Sequence, residues 1–312
     1  MSLEEMLSSK ILSPEEEERI KKELIEELKK DEELPSLLKS LGGDEMAFEK
    51  SLSVLSRYEG DKKLCLDCPG FEACKKENGR KGLRRKLVYM PYEQAYEDLL
   101  YPCAYYKKIQ DALKNYLYSD LDPFFCYQIS QELKKNLNKT QLSSIKTSFS
   151  AVADQAFNVL NAFLKKEETK GLFISGPNSN PYFLLLGMSY FFARNGAKVA
   201  LIDSKKTLEL ANSKDEQMRK DTLADLEKAE QAEVCFVLNL GGEVSPVYFA
   251  SNVFVPFLNE RTRKGFLTFF TSRLEFNDLL SSYFKDYDKK KALGDQLSIL
   301  ANSLSLIEPS RF

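Results

Sequence analysis

Apolar residues Ile20, Leu24 and Leu28 stand at i, i+4 and i+8 in a stretch otherwise made of Glu and Lys, which predicts an amphipathic helix ending near Lys30. Its start is marked by Ser13 as N-cap, Pro14 at the first helical position and acids in the first turn. Two shorter helices are expected, around Pro35–Leu41 and Asp44–Leu55, so the chain opens on an all-α segment.

The pattern changes in the second half. After an amphipathic helix over Ala151–Leu164, Gly171–Asp203 reads as a short apolar strand (Leu172, Phe173, Ile174), a turn of Gly, Pro, Asn and Ser, a long apolar helix and a second strand at Lys198–Asp203. That is a βαβ unit. A charged helix (about Asp215–Glu230), a strand (Val234–Leu240), a helix (about Pro246–Thr262), a strand (Leu267–Thr271), helices near Phe276–Phe284 and Lys289–Asn302, and a closing strand at Leu304–Ile307 follow. Strands alternating with helices predict an α/β domain with a parallel sheet covered on both faces. The boundaries expected are a helical N-terminal domain over 1–108, a polar linker over 109–150 and the α/β domain over 151–312.

Composition narrows the function classes. The 312 residues are 43% hydrophobic and 29% charged, as in globular proteins, and the net charge of −2 gives no global attraction to nucleic acid. No apolar run reaches the length of a membrane span and no signal-peptide order is seen, so a cytoplasmic protein without membrane contact is expected. With no His in the chain, Ser-His-Asp catalysis, Cys-His catalysis and His metal ligands are unavailable.

Two motifs carry candidate chemistry. The turn after Ile174 sits where a phosphate-binding loop would sit, but G-x-x-x-x-G-K-[ST] laid on Gly176 puts Pro181 at the second Gly, Tyr182 at the Lys and Phe183 at the Ser/Thr. Pro181 has no N–H for a phosphate, and neither aromatic supplies a cation or a magnesium-binding hydroxyl. Read alone, those letters describe an ordinary strand-turn-helix with Pro near the helix start. The second motif is Cys65, Cys68 and Cys74 in C-x2-C-x5-C, with Cys103 downstream. Four of six cysteines within about forty residues of a cytosolic chain suggest structural zinc rather than disulfides; the alternative is reduced, partly buried thiols. Lys75, Lys76, Arg80, Lys81, Arg84, Arg85 and Lys86 lie between and would offset thiolate charge.

A Cys-rich N-terminal module followed by an α/β domain with a P-loop-like turn resembles the bacterial primosomal helicase loaders of the DnaI type, related to the C-terminal domain of DnaC-type loaders. The stretches that carry the resemblance are CLDCPGFEAC with YPC downstream, GLFISGPNSNPYFLLL, and VPFLNERTRKGFLTFFTSRLEFNDL. It implies an AAA+ P-loop NTPase-like domain preceded by a small helical zinc-binding domain that docks on the replicative DNA helicase. Single-stranded DNA and other primosome proteins are further implied partners. Departures from the family pattern are as informative. Asn239 stands where the Walker B Asp would hold magnesium, and Glu243, past two glycines, is a poor substitute. Arg273 replaces the polar sensor residue, and no sensor Arg is visible in KKALGDQL. Arg261 and Arg263 lie where the family carries an Arg reaching a neighbouring subunit's nucleotide. With Lys264 and Arg273 they are the candidates for nucleic-acid or subunit contact; the alternative is solvated surface charge.

Phosphoryl transfer needs the phosphate charge neutralised and a water oriented. Lacking Lys and magnesium ligands at two independent motifs, the chain is expected to be a pseudo-ATPase: Gly176, Pro181, Tyr182, Phe183 and Asn239 would mark a degenerate site unlikely to take ATP. The leading expectation is a helicase-loader-type replication protein working without its own ATP hydrolysis. The alternatives are a repurposed zinc-module interaction protein or regulator of a DNA complex, and an active ATPase with an atypical P-loop.

Overall fold

The computed structural model describes residues 13–140, 148–176, 180–211, 214–243 and 246–305. It divides into two compact units, Met1–Lys108 and Ile109–Phe312.

The first unit begins with four helices, α1 (Pro14–Leu28), α2 (Leu34–Leu41), α3 (Glu45–Lys50) and α4 (Leu52–Cys65). Ser13 caps α1 in a full capping box with Glu16, and Ile20, Leu24 and Leu28 are its buried stripe. The single helix expected over 44–55 is broken at Ser51, whose hydroxyl accepts the Tyr96 N–H at 2.7 Å. The expectation of an entirely helical module is corrected by an antiparallel hairpin, β1 (Leu83–Met90) and β2 (Ala95–Pro102), paired from Leu83↔Pro102 to Met90↔Ala95. Leu87 and Tyr96 from its inner face join Leu28, Leu34, Leu38, Ala47, Leu52 and Leu55 in one core, and the Tyr96 hydroxyl donates to the Leu38 carbonyl at 3.1 Å. Two of the cations expected to balance thiolates are committed elsewhere. Lys76 is buried against Asp61 at 2.6 Å, and Arg85 pairs with Asp98.

The second unit opens at Ile109, midway along α5 (Ala104–Leu113). The region expected as linker instead carries β3 (Tyr116–Ser119) and α6 (Pro123–Thr140); 141–147 lie outside the described residues. β3 pairs in parallel with β5, and α6 buries Cys126, Tyr127, Ser130 and Leu133, a helical spacing. The chain continues through α7 (Ser148–Leu164), β4 (Gly171–Ser175), α8 (Asn180–Arg194), β5 (Val199–Asp203), α9 (Ser204–Ala211), α10 (Glu216–Glu230) and β6 (Val234–Leu240). Next come α11 (Pro246–Phe249), a π-turn (Ala250–Phe254), α12 (Val255–Lys264), β7 (Leu267–Ser272), α13 (Phe276–Tyr283), α14 (Tyr287–Leu300) and β8 (Ala301–Ser305). Pro256 accounts for the wide turn: a ring with no N–H, clashing with the carbonyl four residues back, loosens the helix before it. The closing strand runs three residues earlier than expected; Leu306 and Ile307 lie outside the described residues.

Strand order is β3-β5-β6-β7-β4-β8, and every pairing is parallel. This six-stranded parallel sheet is consistent with a P-loop NTPase-like domain. β4 and β7 are buried at every position, as a parallel sheet covered on both faces requires. On one face Phe236 and Phe269 stack at 4.8 Å, with Phe192 of α8 edge-on against Phe236. On the other, Phe270 meets Phe173 and Phe254, beside Tyr283 of α13.

Gly171 faces the Thr268 backbone so closely that a Cβ there would overlap the Thr268 carbonyl oxygen. Gly171→Ala is expected to destabilise the α/β unit by about 1–3 kcal/mol, the usual cost of overpacking, read as a lower urea midpoint with unchanged slope.

Candidate functional site

The carboxyl ends of β6 and β7 and the start of α8 enclose a cleft of about 240 Å³, lined by Pro181, Tyr182, Phe183, Asn239, Thr271, Ser272 and Arg273. Ligand clefts of open α/β sheets lie at such strand ends. The structure thus brings together four of the five positions expected to mark the degenerate nucleotide site, plus Arg273. The fifth, Gly176, lies at the end of β4, and its N–H donates to the Ser272 carbonyl at 3.1 Å rather than facing the cleft. Turn residues 177–179 lie outside the described residues.

The polar groups around the cleft are largely committed to one another. Asn239, at φ 62°, sits in the left-handed region that Asn tolerates better than most residues, where the β6–β7 register shifts. Its N–H donates to Thr271 Oγ1 at 3.0 Å, its carbonyl accepts from Ser204 Oγ at 2.9 Å, and its side-chain amide donates to Asp203 Oδ2 at 2.8 Å. Ser272 Oγ donates to the Leu240 carbonyl at 2.8 Å and accepts from the Leu274 N–H at 3.0 Å. Both hydroxyls therefore tie strand ends together. Burial pushes the Tyr182 phenol up to about 12, with the Asp203 charge adding to the effect, so it stays protonated at neutral pH.

Asp203, at the end of β5, is the acid that sequence reasoning missed. Burial holds its carboxyl above the ordinary range, against the Asn239 amide that favours the charged form. Its N–H donates to Asp120 Oδ2 at 2.8 Å; Asp120 also accepts from Tyr118 at 2.7 Å and Thr207 at 3.1 Å. An acid ending an apolar strand was the available signal, and Asp203 closes VALID. Glu243 is turned away from magnesium chemistry: it is buried, accepts from the Gly241 N–H at 2.9 Å and the Tyr283 hydroxyl at 3.0 Å, and is held above its usual range by that burial. The cleft offers one exposed cation, Arg273, and no lysine.

Arg261 corrects an expectation. It has no exposed surface, so it cannot contact DNA or another subunit in this fold. Its guanidinium donates to the Ala229 and Ala232 carbonyls, to the Leu267 carbonyl at 2.5 Å and to Thr268 Oγ1 at 3.1 Å. Ala229 and Ala232 flank the end of α10, where unpaired carbonyls and the helix dipole favour a cation. Arg263 is exposed and pairs with Glu260 at 2.7 Å, while Lys264 reaches the Glu230 carbonyl at 3.4 Å. Arg263 and Lys264 precede β7 and Arg273 follows it. A six-residue strand separates them by roughly 20 Å at about 3.3 Å per residue, so they form no single basic patch.

Cys65 ends α4, Cys68 and Cys74 lie in the following loop, and Cys103 follows β2, its N–H bonded to the Gly82 carbonyl at 2.8 Å. All four are half-buried free thiols. The donor type suits zinc, but the placement does not complete a site: Cys68 Sγ turns to the Gly70 carbonyl at 3.6 Å and Cys103 Sγ accepts the Tyr106 N–H at 3.4 Å. Among the described residues no group of three or more His, Cys, Asp or Glu is arranged to hold a metal ion.

No family model matches this chain, and no curated protein does. Among the solved structures that resemble it are the following two. The crystal structure of the DnaI is 19% identical, with a TM-score of 0.45, over 53% of this chain and 88% of that one. The structure of a candidate primosome component from Streptococcus pyogenes serotype M3 is also 19% identical, with a TM-score of 0.37, over 51% of this chain and 81% of that one. No helix among the described residues is long and apolar enough to cross a membrane.

Replacing Arg261 with Met would remove the guanidinium donors from the Ala232 and Leu267 carbonyls and from Thr268 Oγ1, at roughly 1–3 kcal/mol for each group left unpaired, while the Ala229 carbonyl keeps the Ala232 N–H. Arg261→Met is expected to unfold the α/β unit or lower its melting temperature by many degrees, whereas exposed Arg263→Ala changes stability by no more than about 0.5 kcal/mol. A folded Arg261→Met protein with near-normal melting would overturn the structural role.

Proposed function

We propose that this chain is a replication protein of the helicase-loader type that works as a scaffold rather than as an ATPase. In this reading the N-terminal unit docks on the replicative hexameric helicase, the α/β unit keeps a loader-like shape, and loading onto single-stranded DNA draws on binding energy and the helicase's own ATP. The observation that carries it is the cleft itself. Where an NTPase needs a lysine, free backbone N–H groups and a magnesium ligand, this chain has Tyr182, the prolyl nitrogen of Pro181, a Gly176 N–H bonded to Ser272, and an Asn239 amide held by Asp203. Stripping the Lys and the metal from phosphoryl transfer leaves little to stabilise the charge. Support for the replication assignment comes from the order of three sequence landmarks, CLDCPGFEAC, GLFISGPNSNPYFLLL and the FFTSR stretch, on one chain.

Structural zinc belongs to the same proposal. Binding would require the four cysteines to be brought together, since as described above they form no such group. A site with four thiolates supplies folding free energy on the order of 10 kcal/mol in small modules. About one zinc per chain is expected by elemental analysis, with Cys68→Ser losing both metal and hairpin structure; a metal-free protein with an intact N-terminal unit would remove zinc from the proposal.

The main test is co-elution of the full chain with its own organism's replicative helicase on a sizing column, with and without ATP, alongside calorimetric titration with ATP and magnesium. An ATP-indifferent complex, with no ATP binding by this chain alone, is expected. ATP binding would restore the active-enzyme reading, and absence of a complex would reduce the loader reading to resemblance.

A further inference from the structure

The N-terminal unit holds a feature that the loader reading does not use. Between α1 and α4 lies a cleft of about 730 Å³, with Glu26, Leu28, Asp31, Glu59, Gly60 and Leu66 among its lining residues. Glu59 is only 6% exposed; its carboxyl meets Asp31, yet its Oε1 receives no donor. A buried acceptor left without a donor is unfavourable. The two lysines beside it are already engaged. Lys62 meets Asp31 at 2.6 Å and Glu33 at 2.9 Å, and Lys63 meets Glu27 at 3.0 Å. Burial and the neighbouring Asp31 push the Glu59 carboxyl up to about 7, while Lys62 holds Asp31 well below the usual range.

Gly60 supplies a second observation. It sits inside α4, where glycine is less favourable than Ala, and a Cβ added there would meet nothing within 4 Å. Crowding within the unit therefore does not explain it. Gly60 is an exposed part of the cleft lining next to Glu59, so no side chain projects from that position. At the rim Leu66 is 72% exposed.

We propose that this cleft docks a basic amphipathic helix of a partner protein, one Arg or Lys of which donates to Glu59 while flanking apolar side chains lie over Gly60 and Leu66. Charge fixes the sign of the occupant: five carboxylates (Glu23, Glu26, Glu27, Asp31, Glu59) line the cleft against three lysines (Lys30, Lys62, Lys63), two of them paired within it. Shape fixes its form. The walls are helices of 15 and 14 residues, a groove roughly 20 Å long that suits a helix of about four turns. The inference goes beyond the loader reading and stands on the cleft whatever the partner is.

The test titrates the full chain calorimetrically with a helical Leu/Ala peptide of about 15 residues carrying one central Arg, and with the same peptide carrying citrulline, which keeps the shape and removes the charge. The Arg peptide is expected to bind at least about tenfold more tightly. Near pH 7 its binding should release a proton from Glu59, which faces Asp31, Lys62 and Lys63, so the heat should vary with the buffer's ionisation enthalpy. Glu59→Gln should abolish both the Arg preference and the proton release, and Gly60→Leu should block both peptides while leaving the circular dichroism unchanged. If Gly60→Leu does not fold, Glu59→Gln decides alone. Equal affinity for the two peptides, full binding by Glu59→Gln, or no binding of the Arg peptide up to millimolar concentration would overturn the proposal. Neither helicase nor nucleotide enters the experiment, so its failure is distinct from failure of the loader reading.

Discussion

A single buried guanidinium ties the α/β unit together. Arg261 comes from the last turn of α12, reaches the carbonyls at the end of α10 and holds the first two residues of β7. β6 and β7 are neighbours in the middle of the sheet, each entered from one of those two helices, so this contact fixes where both strands begin. Burying a charge without a carboxylate partner is normally prohibitive. Here carbonyl dipoles and a helix terminus take the place of the counter-ion, an arrangement that only arginine, with five donors in a planar fork, could satisfy. Burial lowers the pKa of Arg261, but a guanidinium starts so high that it keeps its proton.

With the strand starts fixed at one edge, the strand ends are free to differ. At that opposite edge the polar groups are bonded to one another. Asn239, Thr271, Ser272, Ser204 and Asp203 bond to one another and to neighbouring backbone across β5, β6 and β7, and the Gly176 N–H after β4 donates to the Ser272 carbonyl. A nucleotide-binding edge keeps such groups vacant for its ligand. This one uses them as stitching between the strand ends. The N-terminal unit shows the opposite balance: at Glu59 and Gly60 it leaves a polar group and a space unfilled.

Much of this architecture is legible in the letters, for identifiable reasons. The strands at Val234–Leu240 and Leu267–Ser272 are unbroken apolar runs, as strands buried on both faces must be, and Ser13 and Asp215 cap their helices as their chemistry predicts. Pro181, Tyr182 and Phe183 line one cleft because they start the helix that follows a strand and its turn, a place set by backbone geometry whatever the side chains. What escaped were elements whose stability is tertiary. β3 has only four residues and exists by pairing with β5, while α6 hides its stripe in a polar helix where only Cys126, Tyr127, Ser130 and Leu133 are buried. In the β1–β2 hairpin Arg85 pairs with Asp98, which also meets Arg57, and the Arg85 N–H donates to Asp61, contacts that only the folded unit brings together. Arg261 was misplaced for the same reason: a sequence shows that a residue is cationic, and only packing shows that it is interior.

The aromatic content has an optical consequence. All 312 residues include 21 Phe and 15 Tyr but no Trp, so the chain is nearly dark at the red edge of protein absorption. The ring of Tyr182 stands edge-on to Phe183 at the mouth of the strand-end cleft, 5.5 Å between centroids. An indole substituted there would be the sole chromophore of its kind, and its emission would follow the polarity of that cleft alone, undisturbed by the other unit or by any nucleotide-free partner that itself lacks tryptophan.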